Sequence, residues 1–294
     1  MTKRARIDLS FSLGFLTPAF LLFASFMVVP VLVSGYYSLT RWNGASAPVF
    51  VGLQNYVRIF HSDEYVVSLL NNLRLILAAL LFQTTVAMVI AYLLFRTDRG
   101  FDVMRTIVFL PVVVAPLAIG FMFQMFFNSD LGPINYLLRR IGLGVFALRW
   151  LGDKHVAIYS CIFAQTWQYV GLFVVIFLAG LKGIPVEIFE SANIEGASSF
   201  QTFLRIAVPL IIEYLSICVI LAVTGCLKAF DQAWIMTKGG PGFASSYLAI
   251  LMYKKAFIAG EFGFASAITM TILVLSLAFT YIYKKYIARD TVDY

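Results

Sequence analysis

The chain has 294 residues, of which 61% are hydrophobic and only 13% charged. Soluble domains carry about a quarter charged residues, so a soluble globular protein is excluded. The net charge of +7 gives no nucleic-acid footprint, because the basic residues sit at the ends of apolar blocks and no basic cluster interleaves with aromatics.

Taken in chain order, Lys3-Arg4-Ala5-Arg6 precedes an apolar run. The run from Phe11 to Tyr37 is too long for a secretory h-region and lacks an A-x-A site, so it reads as a retained first span. Five further blocks reach spanning length: 69–95, 106–127, 156–181, 208–230 and 264–286. The expected fold is all-α, a polytopic membrane protein with six transmembrane helices. Prolines 18, 30, 111 and 116 fall inside these blocks, and membrane helices tolerate them by re-satisfying freed carbonyls locally.

Six spans put both termini on one side. Lys and Arg totals on the two sides nearly balance, but the basic residues are denser in segments shared with the termini. Arg96, Arg99 and Arg105 occupy one short link, and Lys284, Lys285 and Arg289 the C-terminal end. Cytoplasmic N- and C-termini are therefore expected in the cell membrane. The three outer connections carry turn signals at Asn43-Gly44, Gly132-Pro133 and Gly239-Gly240-Pro241-Gly242.

Catalytic chemistry finds no support. There is no G-x-x-x-x-G-K-[ST] phosphate loop, so any ATP and Mg would be used by a separate polypeptide, and no cofactor is expected on this chain. Cys161, Cys218 and Cys226 lie inside apolar blocks without metal-ligand spacing, and His61 and His155 are far apart. No metal site and no catalytic residues are expected.

Polar residues within the spans are few. Arg74 can snorkel outward, and Glu213 complements a helix N-terminus. Span four carries Gln165, Trp167, Gln168 and Tyr169 along one turn, with Leu172 beyond and the small Gly225 and Cys226 on span five. Aromatics beside amides suit a neutral polyhydroxylated ligand lining a pathway; interhelical packing explains the same amides equally well. Lys228 and Asp231 form either a surface i, i+3 pair or, with Gly239, Gly240 and Pro241, an outer gate or receptor contact.

Between spans four and five lies a polar interruption, 184–209, with the order of two short amphipathic helices. Pro185 suits a helix start, Gly196 a left-handed end, and Ser198 with Gln201 a capping box. Phe200, Phe203, Leu204 and Ala207 then supply one apolar face. Such a hairpin has the shape of a plug for a partner's groove, though a plain connecting loop has the same length.

The order Glu190-Ser191-Ala192, Gly196-Ala197, Phe203, Ile206, Pro209 resembles the EAA signature of ABC-importer permeases, with Ser191 for the usual Ala. Further stretches are similar to the carbohydrate-uptake branch, the first permease subunit of maltose, multiple-sugar and glycerol-3-phosphate systems. They include Leu16-Thr17-Pro18-Ala19, Val51-Gly52-Leu53-Gln54-Asn55-Tyr56, Trp167-Gln168-Tyr169 and Gly239-Gly240-Pro241.

The resemblance implies a type I ABC importer permease fold with an N-terminal part (1–67), a transmembrane core (68–286) and a tail (287–294). It implies four partners besides the bilayer: a second homologous permease, two ABC ATP-binding subunits and an extracytoplasmic sugar-binding protein. Glu190, Ser191, Ala192, Gly196 and Ala197 would form the coupling surface to the ATPase, and transport would proceed by alternating access. A receptor or scaffold using the hairpin, or a permease for a non-sugar solute such as glycerol-3-phosphate, are the alternatives. No basic cluster lies at mid-membrane depth, which disfavours a phosphorylated cargo.

Overall fold

The computed structural model describes residues 14–97 and 100–286. The basic N-terminal stretch, Arg99, Arg289 and the tail 287–294 lie outside the described residues. In chain order the elements are α1 (Gly14–Ser38), β1 (Thr40–Arg41), β2 (Val49–Phe50), α2 (Gln54–Phe60) and α3 (Asp63–Phe95). Then come α4 (Phe101–Val113), α5 (Pro116–Phe126), α6 (Pro133–Arg140), α7 (Ala157–Lys182) and α8 (Val186–Ile194). The last are α9 (Ser199–Leu210), α10 (Ile212–Leu227), α11 (Asp231–Thr237), α12 (Leu248–Tyr253) and α13 (Phe262–Tyr286).

Among the described residues, four helices (α1, α3, α7 and α13) are long and apolar enough to cross a bilayer unbroken. The third and fifth expected spans are not single rods. The third is α4 followed by α5, bent by 94°, and the fifth is α9 followed by α10, bent by 72°. The third breaks because Pro116 pushes its predecessor out of the helical region: Val114 and Ala115 are both extended, with ψ of 136° and 133°. At the fifth, Ile211 leaves helical geometry two residues after Pro209.

The described residues form two compact units. One holds residues 14–61 with Met252–Thr271; the other holds 62–97 and 100–251 with 272–286. In the first unit, β1 and β2 pair antiparallel, Thr40 opposite Phe50. Asn55 donates to the carbonyls of Ser38 and Thr40 at 2.8 Å each, and Trp42 stacks on Tyr37 at 4.0 Å. Arg58 pairs with Glu261 at 2.8 Å and lies over the Phe264 ring.

The second unit is built around α7. Glycine lets neighbours approach it: a Cβ at Gly171 would overlap the Val108 carbonyl of α4. Asn71 and Asn72 of α3 are fully buried and hold the segment before α12. Asn71 donates to the carbonyls of Ala244 and Ser246, while Asn72 donates to Cys226 O and accepts from Leu248 N. Arg74 does not extend free; its guanidinium donates to Asn71 Oδ1 at 2.7 Å. Glu213 stands in the first turn of α10, where a carboxylate complements the helix dipole.

Candidate functional site: a mostly apolar cavity and an exposed helical hairpin

A cavity of about 270 Å3 opens within the second unit. Gln165, Tyr169 and Leu172 line it from α7, and Gly225 and Cys226 from α10. The spacing explains the first set, since positions i, i+4 and i+7 share one helix face. At Gly225 a Cβ would meet nothing within 4 Å, so that wall is open. Lys228 and Asp231 also border the cavity, and no ion pair joins them. The surface-pair reading of these two residues therefore fails.

Gln168 is a correction. It is fully buried and does not line the cavity. Its amide donates to the carbonyls of Pro111 (3.2 Å) and Val114 (2.8 Å), and its oxygen accepts from Gln232 Nε2. Those two carbonyls sit at the break between α4 and α5, so Gln168 closes hydrogen bonds that a broken span leaves open. Trp167 also points elsewhere, packing edge-on against Phe123.

Gly239, Gly240 and Pro241 do not join Lys228 and Asp231. Lys238 and Gly239 take left-handed backbone after α11, Gly239 is buried against Ile250 and Ser246, and Gly240 O accepts from Ser245 Oγ. This is a folded turn away from the cavity wall.

Gln83, Gln232 and Phe230 also line the cavity, and sequence reasoning missed all three. The available signal for Gln83 was the polar run Gln83-Thr84-Thr85 in the middle of an apolar span.

At the other site α8 and α9 form a hairpin. Gly196 has φ of +79°, Gly196 N–H donates to Asn193 O, and Ala197 N–H donates to Ala192 O. These are the two bonds of a Schellman ending: Gly196 supplies its left-handed residue, and the backbones of Ala192 and Ala197 make its longer bond. The capping box between Ser198 and Gln201 is present in both directions. Tyr92 and Arg96 at the end of α3 bond Ser199, and Tyr92 and Phe95 pack on Phe203 and Phe189.

Ala192 is buried, whereas Glu190, Ser191 and Gly196 are exposed. The apolar face of α9 is split: Ala207 is buried, but Phe200 is 69% exposed, and Ile194 across the turn is 87% exposed.

The profile of the family described as "Binding-protein-dependent transport system inner membrane component" matches residues 83–291. The chain is 34% identical to "Probable ABC transporter permease protein YurN" of Bacillus subtilis (strain 168), over 92% of this chain and 94% of that protein. It is 30% identical to "Multiple sugar-binding transport system permease protein MsmF" of Streptococcus mutans serotype c, over 94% of each.

Among solved structures, a chain of a bacterial ABC transporter involved in the import of the acidic polysaccharide alginate superposes with a TM-score of 0.84 at 19% identity. The match covers 98% of this chain and 100% of that one. The helical architecture is thus that of a type I ABC importer permease. With the family profile spanning most of the chain and full-length relatives above 30% identity, the protein belongs to the inner-membrane permeases of binding-protein-dependent ABC transport systems.

Proposed function

We infer that this chain is one of two permease subunits of an ATP-driven carbohydrate importer, and that it takes its power stroke through the α8–α9 hairpin. The observation carrying this reading is the hairpin itself. A capped, anchored turn presents Ile194 and Phe200 to solvent, a combination that costs hydration unless a partner covers it.

The partner is an ABC ATP-binding subunit, one of two, which binds ATP and Mg and takes the hairpin into a surface cleft. Glu190 and Ser191 supply polar contact there. Ala192, Gly196 and Ala197 set the tight ending that fixes the angle between the helices. Closure of the ATPase pair moves the hairpins and switches the permease between inward- and outward-facing packings.

The pathway runs past Gln165, Tyr169, Leu172, Gly225 and Cys226. Their cavity is slightly smaller than the roughly 300–1,000 Å3 of ordinary ligand sites, which fits one wall of a site shared with a second, homologous permease. Lys228 and Asp231 stand at its rim. An extracytoplasmic sugar-binding protein delivers the cargo. The carbohydrate class rests on the multiple-sugar relative and on the aromatic and amide lining.

Glu190→Lys and Gly196→Val test the coupling. Both variants are expected to insert normally, to lose the co-purifying ATPase, and to lose ATP hydrolysis stimulated by loaded binding protein. Normal uptake in both would overturn the docking role.

A further inference from the structure

Gln83 is a buried amide of the cavity wall that the packing among the described residues leaves without a hydrogen bond. It is 6% exposed, it lines the cavity, and its side chain has no hydrogen-bond partner among the described residues. Nor is it sealed in. Among the described residues, the enclosed side-chain polar atoms without a partner are Ser68 Oγ and Tyr247 OH, so the Gln83 amide retains open surface, and the cavity is where it faces. An amide in an apolar span that bonds neither protein nor lipid is costly.

The helix is built to put it there. Residues Ala79–Gln83 form a π-helical turn in α3, and Thr84 Oγ1 donates to the Ala79 carbonyl at 2.8 Å. Leu75, eight residues earlier, lines the same cavity. In an unbroken α-helix eight residues would rotate Gln83 by roughly 80° away from Leu75. One inserted residue takes back about 100°, which returns Gln83 to the Leu75 face. Leu81 and Phe82 in the same turn are exposed on the outside. Relaxing the turn to α-helix would swing the amide away from the cavity.

We propose that Gln83 is a specificity-determining residue of the cavity, recognising a neutral ligand through adjacent hydroxyl groups; this rests on the cavity being the transport pathway. A primary amide offers one acceptor and two donors side by side, which matches a vicinal diol whose one hydroxyl donates to Oε1 while the other accepts from Nε2. A carboxylate could use only the donor half and would face Oε1 with like charge. Gln165 and Tyr169 on the same cavity, also without side-chain hydrogen bonds among the described residues, add uncharged polar groups, while Lys228 and Asp231 on its border carry opposite charges that sum to zero.

The test uses the assembled transporter in proteoliposomes with its binding protein. The probes are labelled maltose, trehalose and diacetylchitobiose. Gln83→Leu is expected to lower uptake of whichever probe is carried by about 30- to 100-fold, the loss of both amide hydrogen bonds, mainly through a raised KM. The same variant is expected to keep or raise the melting temperature, because it removes a buried amide without a partner. A merely structural glutamine would lower both. Phe82→Leu, on the outer side of the turn, serves as a control with unchanged uptake.

In parallel, Gln83→Cys, made in a chain with its three native cysteines replaced, is expected to react with a charged methanethiosulfonate in at least one nucleotide state. Unchanged uptake in Gln83→Leu, or an unreactive thiol in Gln83→Cys, overturns the proposal. If the unmodified complex carries none of the three sugars, the carbohydrate reading fails instead, and the thiol reaction of Gln83→Cys alone decides whether this position faces the pathway.

Discussion

Gln168 shows how one side chain supports a broken membrane helix. The break after Val113 leaves the Pro111 and Val114 carbonyls without helical partners, and in a bilayer no water replaces them. Gln168→Leu removes both donors and strands Gln232, so a loss of about 2–3 kcal/mol is expected. It should appear as a lower melting temperature of the purified complex and poorer recovery after heating. Gly171, three residues on, is the companion. Gly171→Ala drives a methyl into the Val108 carbonyl and should cost about 1–3 kcal/mol, whereas Gly225→Ala meets open space and should leave the melting temperature unchanged. Equal melting temperatures for the two alanine variants would contradict this packing. The sequence could show that Gln165, Gln168 and Tyr169 share a span, and that amides there need partners. It could not show which amide faced protein and which faced the cavity. That depends on where the third span breaks, a tertiary fact.

The α8–α9 hairpin was the most legible element, because its determinants are local. Proline at the entry, glycine at a left-handed end and a Ser–Gln capping box are all set by residues within a few positions of one another. The broken spans were less legible. Pro111 and Pro116 read as tolerable within one helix, yet only Pro116 coincides with a break; Pro111 lies inside α4. The π-turn at Ala79–Gln83 has no local signal, since its residues are all compatible with α-helix. Two variants follow from the hairpin's local chemistry. Gly196→Ala has free space around it, so its cost is conformational alone, about 1–2 kcal/mol for a left-handed residue. Ser198→Ala loses the capping box at about 1 kcal/mol. Hydrogen exchange in the intact complex should quicken across Val186–Leu210 in both variants and stay unchanged in α7. Exchange unchanged in the hairpin would mean that the docking partner, rather than the caps, holds its shape.

At the scale of the whole molecule, side of the membrane is the property on which function turns. Raw Lys and Arg totals do not decide it, but the second unit gathers several cations at one end. Arg96 bonds Ser199 at the start of α9, Lys182 in the last turn of α7 lies over Phe101, and Arg205 sits in the hairpin. The hairpin and the short link after α3 therefore share one face of that unit, the face that the proposed coupling role requires to be cytoplasmic. The segment around α6 is the counterpart: it joins α5 to α7 and exposes Leu131 almost completely. A membrane-impermeant maleimide on intact cells is expected to label Leu131→Cys, and to label Ile194→Cys only after permeabilisation. The native background should be low, since Cys161, Cys218 and Cys226 are all buried. The reverse pattern would put the hairpin outside, where no ATP-binding subunit can reach Ile194 and Phe200, and the coupling role would fall with it.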